Sequence, residues 1–282
     1  MLKGLTRAGL GNIGSIEDFI RGASAHQFEA IAAQGTELEA WIEEKGADGA
    51  LAFLNEHRIQ IGTIGLSVQW RTTEEEFRSG LVRLAKDAEA AAALGCTTCS
   101  TYVLPSTDHE AAHFMALATR RLRTCAQILA PYGIRLALEF VGPHHLRTRW
   151  KNPFIWGMQE MLDWIDAIGE SNVGLLFDSY HWYTNELGVD DILRLKPEQI
   201  VVAHINDAPD VPVSEALDND RLFPGEGVID LAGFLSALHQ IGYKGVIAQE
   251  ILTPKPLEDS SETLLKRSQD GFRKVYAAAG LQ

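Results

Sequence analysis

The sequence predicts an α/β protein built as one closed (β/α)8 barrel, and two observations carry that prediction. Short apolar runs without clean alternation recur along the chain, separated by stretches of helical periodicity. Such runs read as strands buried on both faces of a parallel sheet. Four successive runs also end in a carboxylate or an imidazole: Arg135-Leu136-Ala137-Leu138-Glu139, Val173-Gly174-Leu175-Leu176-Phe177-Asp178, Ile200-Val201-Val202-Ala203-His204 and Gly245-Val246-Ile247-Ala248-Gln249-Glu250. A charge is costly deep in such a strand but can sit where the sheet opens to solvent. Side chains from the C-terminal ends of several parallel strands converge when the sheet closes into a barrel.

Taken in order, Leu2 to Leu10 is a first strand closed by Gly9-Leu10-Gly11-Asn12, and Ser15 is placed to cap a helix. Phe28 to Ala32 is the second strand, followed by amphipathic stretches at Thr36–Glu44 and Asp48–His57. The third strand starts at Ile59 and runs with its loop to Trp70; from Thr73 a long helix carries Phe77, Leu81, Leu84, Ala88 and Ala92 at helical spacing. Cys96 to Leu104 is the fourth strand and His109 to Ala130 the next long helix. In the second half the strands end at Glu139, Asp178, His204 and Glu250. Helices lie around Met158–Ile168, Val189–Leu195, Leu231–Gln240 and Ser260–Ala279, and the longest loop runs from Asn206 to Val228. Without linker, repeat or low-complexity stretch, residues 1–282 read as one domain.

Composition narrows the function classes. The 282 residues are 46% hydrophobic, enough for a large core, and the 25 basic against 38 acidic residues give a net charge of −13. That balance argues against a surface for nucleic acid or anionic lipid. Cys96, Cys99 and Cys125 read as structural thiols of a reducing compartment. Neither a signal peptide nor an apolar run of membrane-spanning length is evident, so a cytoplasmic location is expected. A homo-oligomer is left open.

Glu139, Asp178, His204 and Glu250 offer three carboxylates and one imidazole, a set suited to one divalent cation. Mn²⁺ or Mg²⁺ suits it first, and Co²⁺ or Zn²⁺ is also compatible. His181, just past Asp178, reads either as a solvated side chain or as a neutral donor to a substrate oxygen. Arg221, in the loop between the seventh and eighth strands, is expected to fix a substrate hydroxyl or to hold a ligand carboxylate. Trp70, with Trp150, Phe154, Trp156, Trp182 and Phe223, is a candidate wall for a sugar ring.

The segments Ala137-Leu138-Glu139-Phe140-Val141-Gly142, Asp178-Ser179-Tyr180-His181, His204-Ile205-Asn206-Asp207, Asp220-Arg221 with Pro224-Gly225-Glu226-Gly227, and Glu250 resemble the xylose isomerase-like TIM barrels. Within them the chain is most similar to the sugar phosphate isomerase/epimerase group, and there to the inosose (2-keto-myo-inositol) isomerases. The resemblance is good over roughly residues 130–256 and holds only in rhythm before that. It implies one divalent metal, manganese first, held by Glu139, Asp178, His204 and Glu250. It also implies that the two glutamates flank a sugar or cyclic polyol ketone and move protons through an enediolate.

The main rival is a dehydratase or lyase of a keto-polyol of inosose or dehydroshikimate type. The 3-dehydroshikimate dehydratases carry a histidine two residues after the fifth-strand glutamate, where this chain has Val141, although His145 is an alternative acid. DNA repair of the endonuclease-four type needs further histidine ligands, and Gly65–Trp70 and Ser100–Val103 supply none. No glycine-rich phosphate cradle follows the seventh or eighth strand, which favours an unphosphorylated substrate.

Overall fold

The computed structural model describes residues 1–281. Eight parallel strands close on themselves: β1 (Leu2–Leu5), β2 (Ala30–Ala33), β3 (Gln60–Gly65), β4 (Thr98–Val103), β5 (Arg135–Phe140), β6 (Val173–Asp178), β7 (Ile200–Ile205) and β8 (Val246–Gln249). The seam is β1 against β8, with Leu2 opposite Val246 and Leu5 opposite Gln249. Long helices cover the outside: α1 (Ile16–Ala25), α2 (Gly35–Lys45), α3 (Ala47–His57), α4 (Glu74–Ala93) and α5 (Ala111–Leu129) in the first half. The second half carries a single turn α6 (His144–Arg147), then α7 (Met158–Ile168), α8 (Ser179–Thr184), α9 (Val189–Leu193), α10 (Leu231–Gln240) and α11 (Ser261–Ala278).

Burial on both faces explains the unbroken apolar runs. Leu136, Leu138, Phe140, Leu175 and Phe177 belong to the main core between strands and helices, while Ala137, Leu176, Val201 and Val202 form a separate small cluster with the half-buried Val246. Ala137, Leu176 and Val202 each stand two residues before a site residue. The strand alternation therefore lays an apolar floor beneath Glu139, Asp178 and His204.

Several boundaries differ from the sequence reading. β1 stops at Leu5 because the backbone turns, with the Leu10 N–H donating to the Arg7 carbonyl and Gly9 at φ +82°. A side chain at Gly9 would collide with Ile251, so glycine is required there. β2 starts at Ala30, since the Phe28 N–H still closes α1 on Ala23. β3 ends at Gly65, and the Trp70 N–H donates to Val68 in a turn. Within the segment read as a loop after Glu139, α6 is followed by a two-residue strand, Asn152–Pro153, pairing antiparallel with Ser106–Thr107.

The three cysteines are free and buried. Burial pushes the Cys96 thiol up to about 11 and that of Cys125 to about 12, so both are unreactive. Among the described residues no helix is long and apolar enough to cross a membrane.

Candidate metal centre

Sheet register brings the four strand-end residues together. Asp178, the last residue of β6, is the direct neighbour of His204 on β7, and Glu250 follows the last residue of β8. Glu139 is next to last in β5. One ligand atom from each of Glu139, Asp178, His204 and Glu250 lies within 4.8 Å of all the others. His204 Nδ1 is 3.6 Å from Glu250 Oε2, 3.8 Å from Asp178 Oδ2 and 3.9 Å from Glu139 Oε1. Asp178 is fully buried, Glu139 and His204 are nearly so, and the Glu250 side chain keeps 23% of its exposure.

Three carboxylates so close repel one another in a low-dielectric site. Burial, then the charges of Glu250 and Asp178, raise the Glu139 carboxyl well above its ordinary range. Burial acts the same way on Glu250, but His204 and Arg221 outweigh it and hold that group at about 2. His204 is raised: the charges of Glu250 and Asp178 overcome a burial effect of opposite sign. The fit to a cation rests on hydrogen bonding. Glu139 Oε1 and both ring nitrogens of His204 are buried and lack any hydrogen-bond partner, which is costly unless another ligand takes them up. The oxygen-rich donor set with one imidazole suits a hard or borderline divalent ion.

Asp178 is fixed more firmly than its neighbours. Its Oδ1 accepts from the Tyr180 backbone N–H at 2.6 Å and the Asn206 amide at 3.0 Å, and its Oδ2 accepts from Asn206 at 3.2 Å and Arg221 Nη1 at 2.9 Å. Asp178 therefore ends β6 and caps α8 at once. Arg221 Nη1 also donates to Glu250 Oε2 at 3.0 Å, while Nη2 reaches Asp218 Oδ1 at 2.8 Å and Nε the Asp218 carbonyl at 2.9 Å. With four hydrogen bonds committed and only 3% exposure, Arg221 holds the Asp178 and Glu250 carboxylates in place, the second of the two roles expected of it, and it also borders the cavity beside them.

His181 lies 3.7 Å from Glu139 Oε1 through Nε2, and the Gly142 N–H donates to its Nδ1 at 3.3 Å. Burial lowers its pKa and keeps the ring neutral. Arg221 Nη2 lies 3.5 Å from Nε2 on the side that faces the cluster, so a neutral imidazole stands between Arg221 and Glu139. Gly142 is required for that approach: a Cβ there would lie 2.5 Å from Asn185 Nδ2 and 3.0 Å from the His181 carbonyl oxygen.

The loop bearing Arg221 is anchored by Asp207, which accepts from the N–H groups of Ala208 at 3.0 Å and of Gly225 and Ile229 at 2.9 Å each. Sequence reasoning assigned no role to Asp207, Asn206, Asp218 or Tyr102. Asn206 and Asp207 stand two and three residues after His204, a spacing visible in the sequence.

The mouth has two lobes. One of about 590 Å³ is lined by Glu139, His145, Trp150, His181, Asp218 and Arg221. The other, about 510 Å³, lies toward β1–β4 and is lined by Thr6, Thr63, Arg71, Ser100, Thr101 and His204. Tyr102, 49% exposed, and Glu250 border both. His145 is half-buried, its pKa lowered by burial, and its buried Nδ1 has no partner.

Trp70 is not brought into either lobe. It is 1% exposed, stacks on Phe114 at 6.0 Å and donates from its indole to Thr101 at 3.1 Å, and it borders a smaller neighbouring cavity with Trp150 and Phe154. Trp182 and Phe223 are likewise buried.

A closed parallel barrel with this carboxylate–imidazole cluster at the C-terminal ends of its strands has the architecture of an enzyme site. The chain belongs to the xylose isomerase-like TIM barrel family, whose match covers residues 20–275. It is 34% identical over 156 residues to an inosose isomerase of Bacillus velezensis, a match covering 55% of this chain and 53% of that protein. The chain thus spans about half the length of the curated relatives it matches. A xylose isomerase domain protein from Alicyclobacillus acidocaldarius subsp. acidocaldarius superposes with TM-score 0.90 at 33% identity, covering 99% of each chain. A crystal structure of the IOLI protein with a zinc atom superposes with TM-score 0.81 at 21% identity, over 98% of each chain.

Proposed function

We propose that the protein is a divalent-metal-dependent isomerase or epimerase of a ketose or inosose, working by proton transfer next to a carbonyl through an enediolate. The observation that carries this reading is the cluster of Glu139, Asp178, His204 and Glu250 at the barrel mouth, with buried ligand atoms that have no partner within the protein. The inosose isomerase name of the relatives and the zinc atom of the IOLI structure support it.

Those four residues would hold the ion, Mn²⁺ first among the candidates. A divalent ion there supplies Lewis acidity, which makes a C–H beside a carbonyl acidic. Glu139 and Glu250 reach the cavity from β5 and β8, so one carboxylate removes the proton and the other returns it. His181 hydrogen-bonds a substrate oxygen through its neutral ring. Arg221, tied to Asp178, Glu250 and Asp218, keeps the carboxylates from rotating away. A second reading, dehydration of a keto-polyol, is favoured by His145, which lines the same lobe and has an unpartnered ring nitrogen able to assist a departing hydroxyl.

The test is incubation of Mn²⁺-reconstituted protein with a panel of ketoses and inososes in deuterated water. Deuterium should enter recovered substrate or its isomer, and Glu139→Gln and Glu250→Gln should suppress turnover by roughly 10²–10⁴-fold. Absence of exchange with every ketone in metal-replete protein refutes the proton-transfer reading. An absorbing unsaturated product selects dehydration.

A further inference from the structure

We propose that Arg71 forms an anion subsite in the β1–β4 lobe of the mouth, taking a carboxylate or phosphate group carried by the substrate. Its guanidinium is clamped between two aromatic rings, with Cζ 4.1 Å from the Trp70 ring centre and 4.2 Å from that of Tyr102. Nη2 donates to Thr101 Oγ1 at 3.3 Å and to the Tyr102 carbonyl oxygen, while Nε is buried without an acceptor. These partners are neutral. Among the described residues no carboxylate lies within ion-pair distance of Arg71, although 38 acidic residues are available in the chain. Burial, uncompensated by any acid, lowers its pKa to about 10, which still leaves it charged at neutral pH.

The surroundings are arranged as for an anion. Arg71 lines the same lobe as His204 and Glu250, so a ligand seated at the cluster is within the same cavity. Arg7, which also lines it, is paired with Glu37 at 2.6 Å, whereas Arg71 has no acidic partner. Thr101 Oγ1 accepts from both the Trp70 indole and Arg71, so its own proton is free to donate. With Nη2 committed to Thr101 and the Tyr102 carbonyl and Nε buried, Nη1 is the nitrogen left to meet a carboxylate or phosphate oxygen, beside the free hydroxyl proton of Thr101. The two ring faces that clamp it remove most of the rotamer entropy that binding would otherwise cost.

Assigning the anion to the substrate rests on the ketose-isomerase reading, but the subsite does not, and the experiment separates the two. Melting temperatures of chelator-treated and Mn²⁺-loaded protein are measured with inorganic phosphate, acetate or, at matched ionic strength, chloride. Phosphate or acetate should raise the melting temperature of chelated wild type above the chloride control. Arg71→Met should weaken that anion's apparent affinity by roughly 10–100-fold. A response to phosphate alone identifies a phosphate-bearing ligand, and a response to acetate identifies a carboxylate. With exchange-competent ketones, Arg71→Met should lower kcat/KM for an anionic substrate by a similar factor, and by more than for a neutral analogue. If Arg71→Met does not fold, Arg71→Lys keeps the charge and the stem, and should bind the anion more weakly than wild type. Equal responses to phosphate, acetate and chloride in wild type, or an undiminished response in the folded variant, overturn the subsite whatever the ketone panel shows.

Discussion

Replacing Glu139 with Gln should stabilise the metal-free protein while weakening its response to metal, an unusual pairing of signs. In the chelated protein the Glu139 carboxyl is raised well above 4.5, by burial first and then by Glu250 and Asp178. A carboxyl with a raised native pKa binds its proton more tightly folded than unfolded. Its contribution is therefore complete below about pH 4.5 and is lost as pH rises toward the native value. While the native group stays protonated, the loss is about 1.4 kcal/mol per pH unit. For a chain of this size that is roughly 2–3 °C in melting temperature per unit. Glutamine mimics the protonated form and has nothing to lose. The melting curves of chelated wild type and Glu139→Gln should thus coincide near pH 4.5 and separate above it, the variant being the more stable. Adding metal at about 100 times its Kd should raise wild type by about 2.7 kcal/mol, and the variant by clearly less. Calorimetry across pH 4.5–6.5, with chelator and with Mn²⁺, reads both effects. A gap that does not widen with pH, or an equal metal increment in both proteins, refutes the reasoning.

Three further outcomes follow from single contacts. Asp207→Ala removes the acceptor of three backbone N–H groups and should lower unfolding free energy by about 2–4 kcal/mol in denaturant melts, with loss of turnover as the Arg221 loop loosens. Gly142→Ala should displace His181 by forcing the loop away from Asn185 and Thr184. Turnover should fall at least tenfold while metal content by elemental analysis stays near that of wild type. His181→Gln should also impair turnover with metal retained, since its Nε2 points at the cluster from outside the ligand set; loss of metal would make it a ligand.

What the sequence revealed, and what it concealed, has a physical cause in each case. The ends of β5 to β8 were legible because a run buried on both faces admits no charge until it leaves the barrel, so the first carboxylate or imidazole marks the mouth. Asp218 was hidden because the long loop has no periodicity, and its path is set by Asp207 gathering three distant amides. The helix α8 was missed because Asp178 serves as strand end and N-cap together, leaving no polar break between the two elements. The direction of Trp70 was not legible since a ring just after a strand can turn outward to the helices or inward to the mouth. The decision fell to Phe114 and Thr101, remote in sequence. Tyr102 was passed over for the complementary reason: a tyrosine inside a strand reads as packing, yet this one sits at the rim with Arg71 against its ring.

Hydrogen-bond saturation also separates the roles of the three clustered carboxylates. Each oxygen of Asp178 accepts two hydrogen bonds, from Tyr180, Asn206 and Arg221, which pin the side chain and leave it none of the freedom to swing toward a substrate carbon. Glu139 Oε1 has no partner, and Glu250 retains exposure to both lobes with Arg221 on one oxygen. On the proton-transfer reading proposed above, the acting carboxylate needs an oxygen with an unused lone pair, and both glutamates keep one. On the same reading Asp178 is the part of the cluster that would set position, held by four hydrogen bonds while the glutamates stay under-bonded. Asn206→Ala, which removes two of the bonds to Asp178 and touches neither glutamate, should accordingly weaken metal binding more than it alters exchange by the metal-saturated protein. Metal titration alongside deuterium exchange measures the two effects separately, and a larger loss in saturated exchange than in affinity would reverse this division of roles.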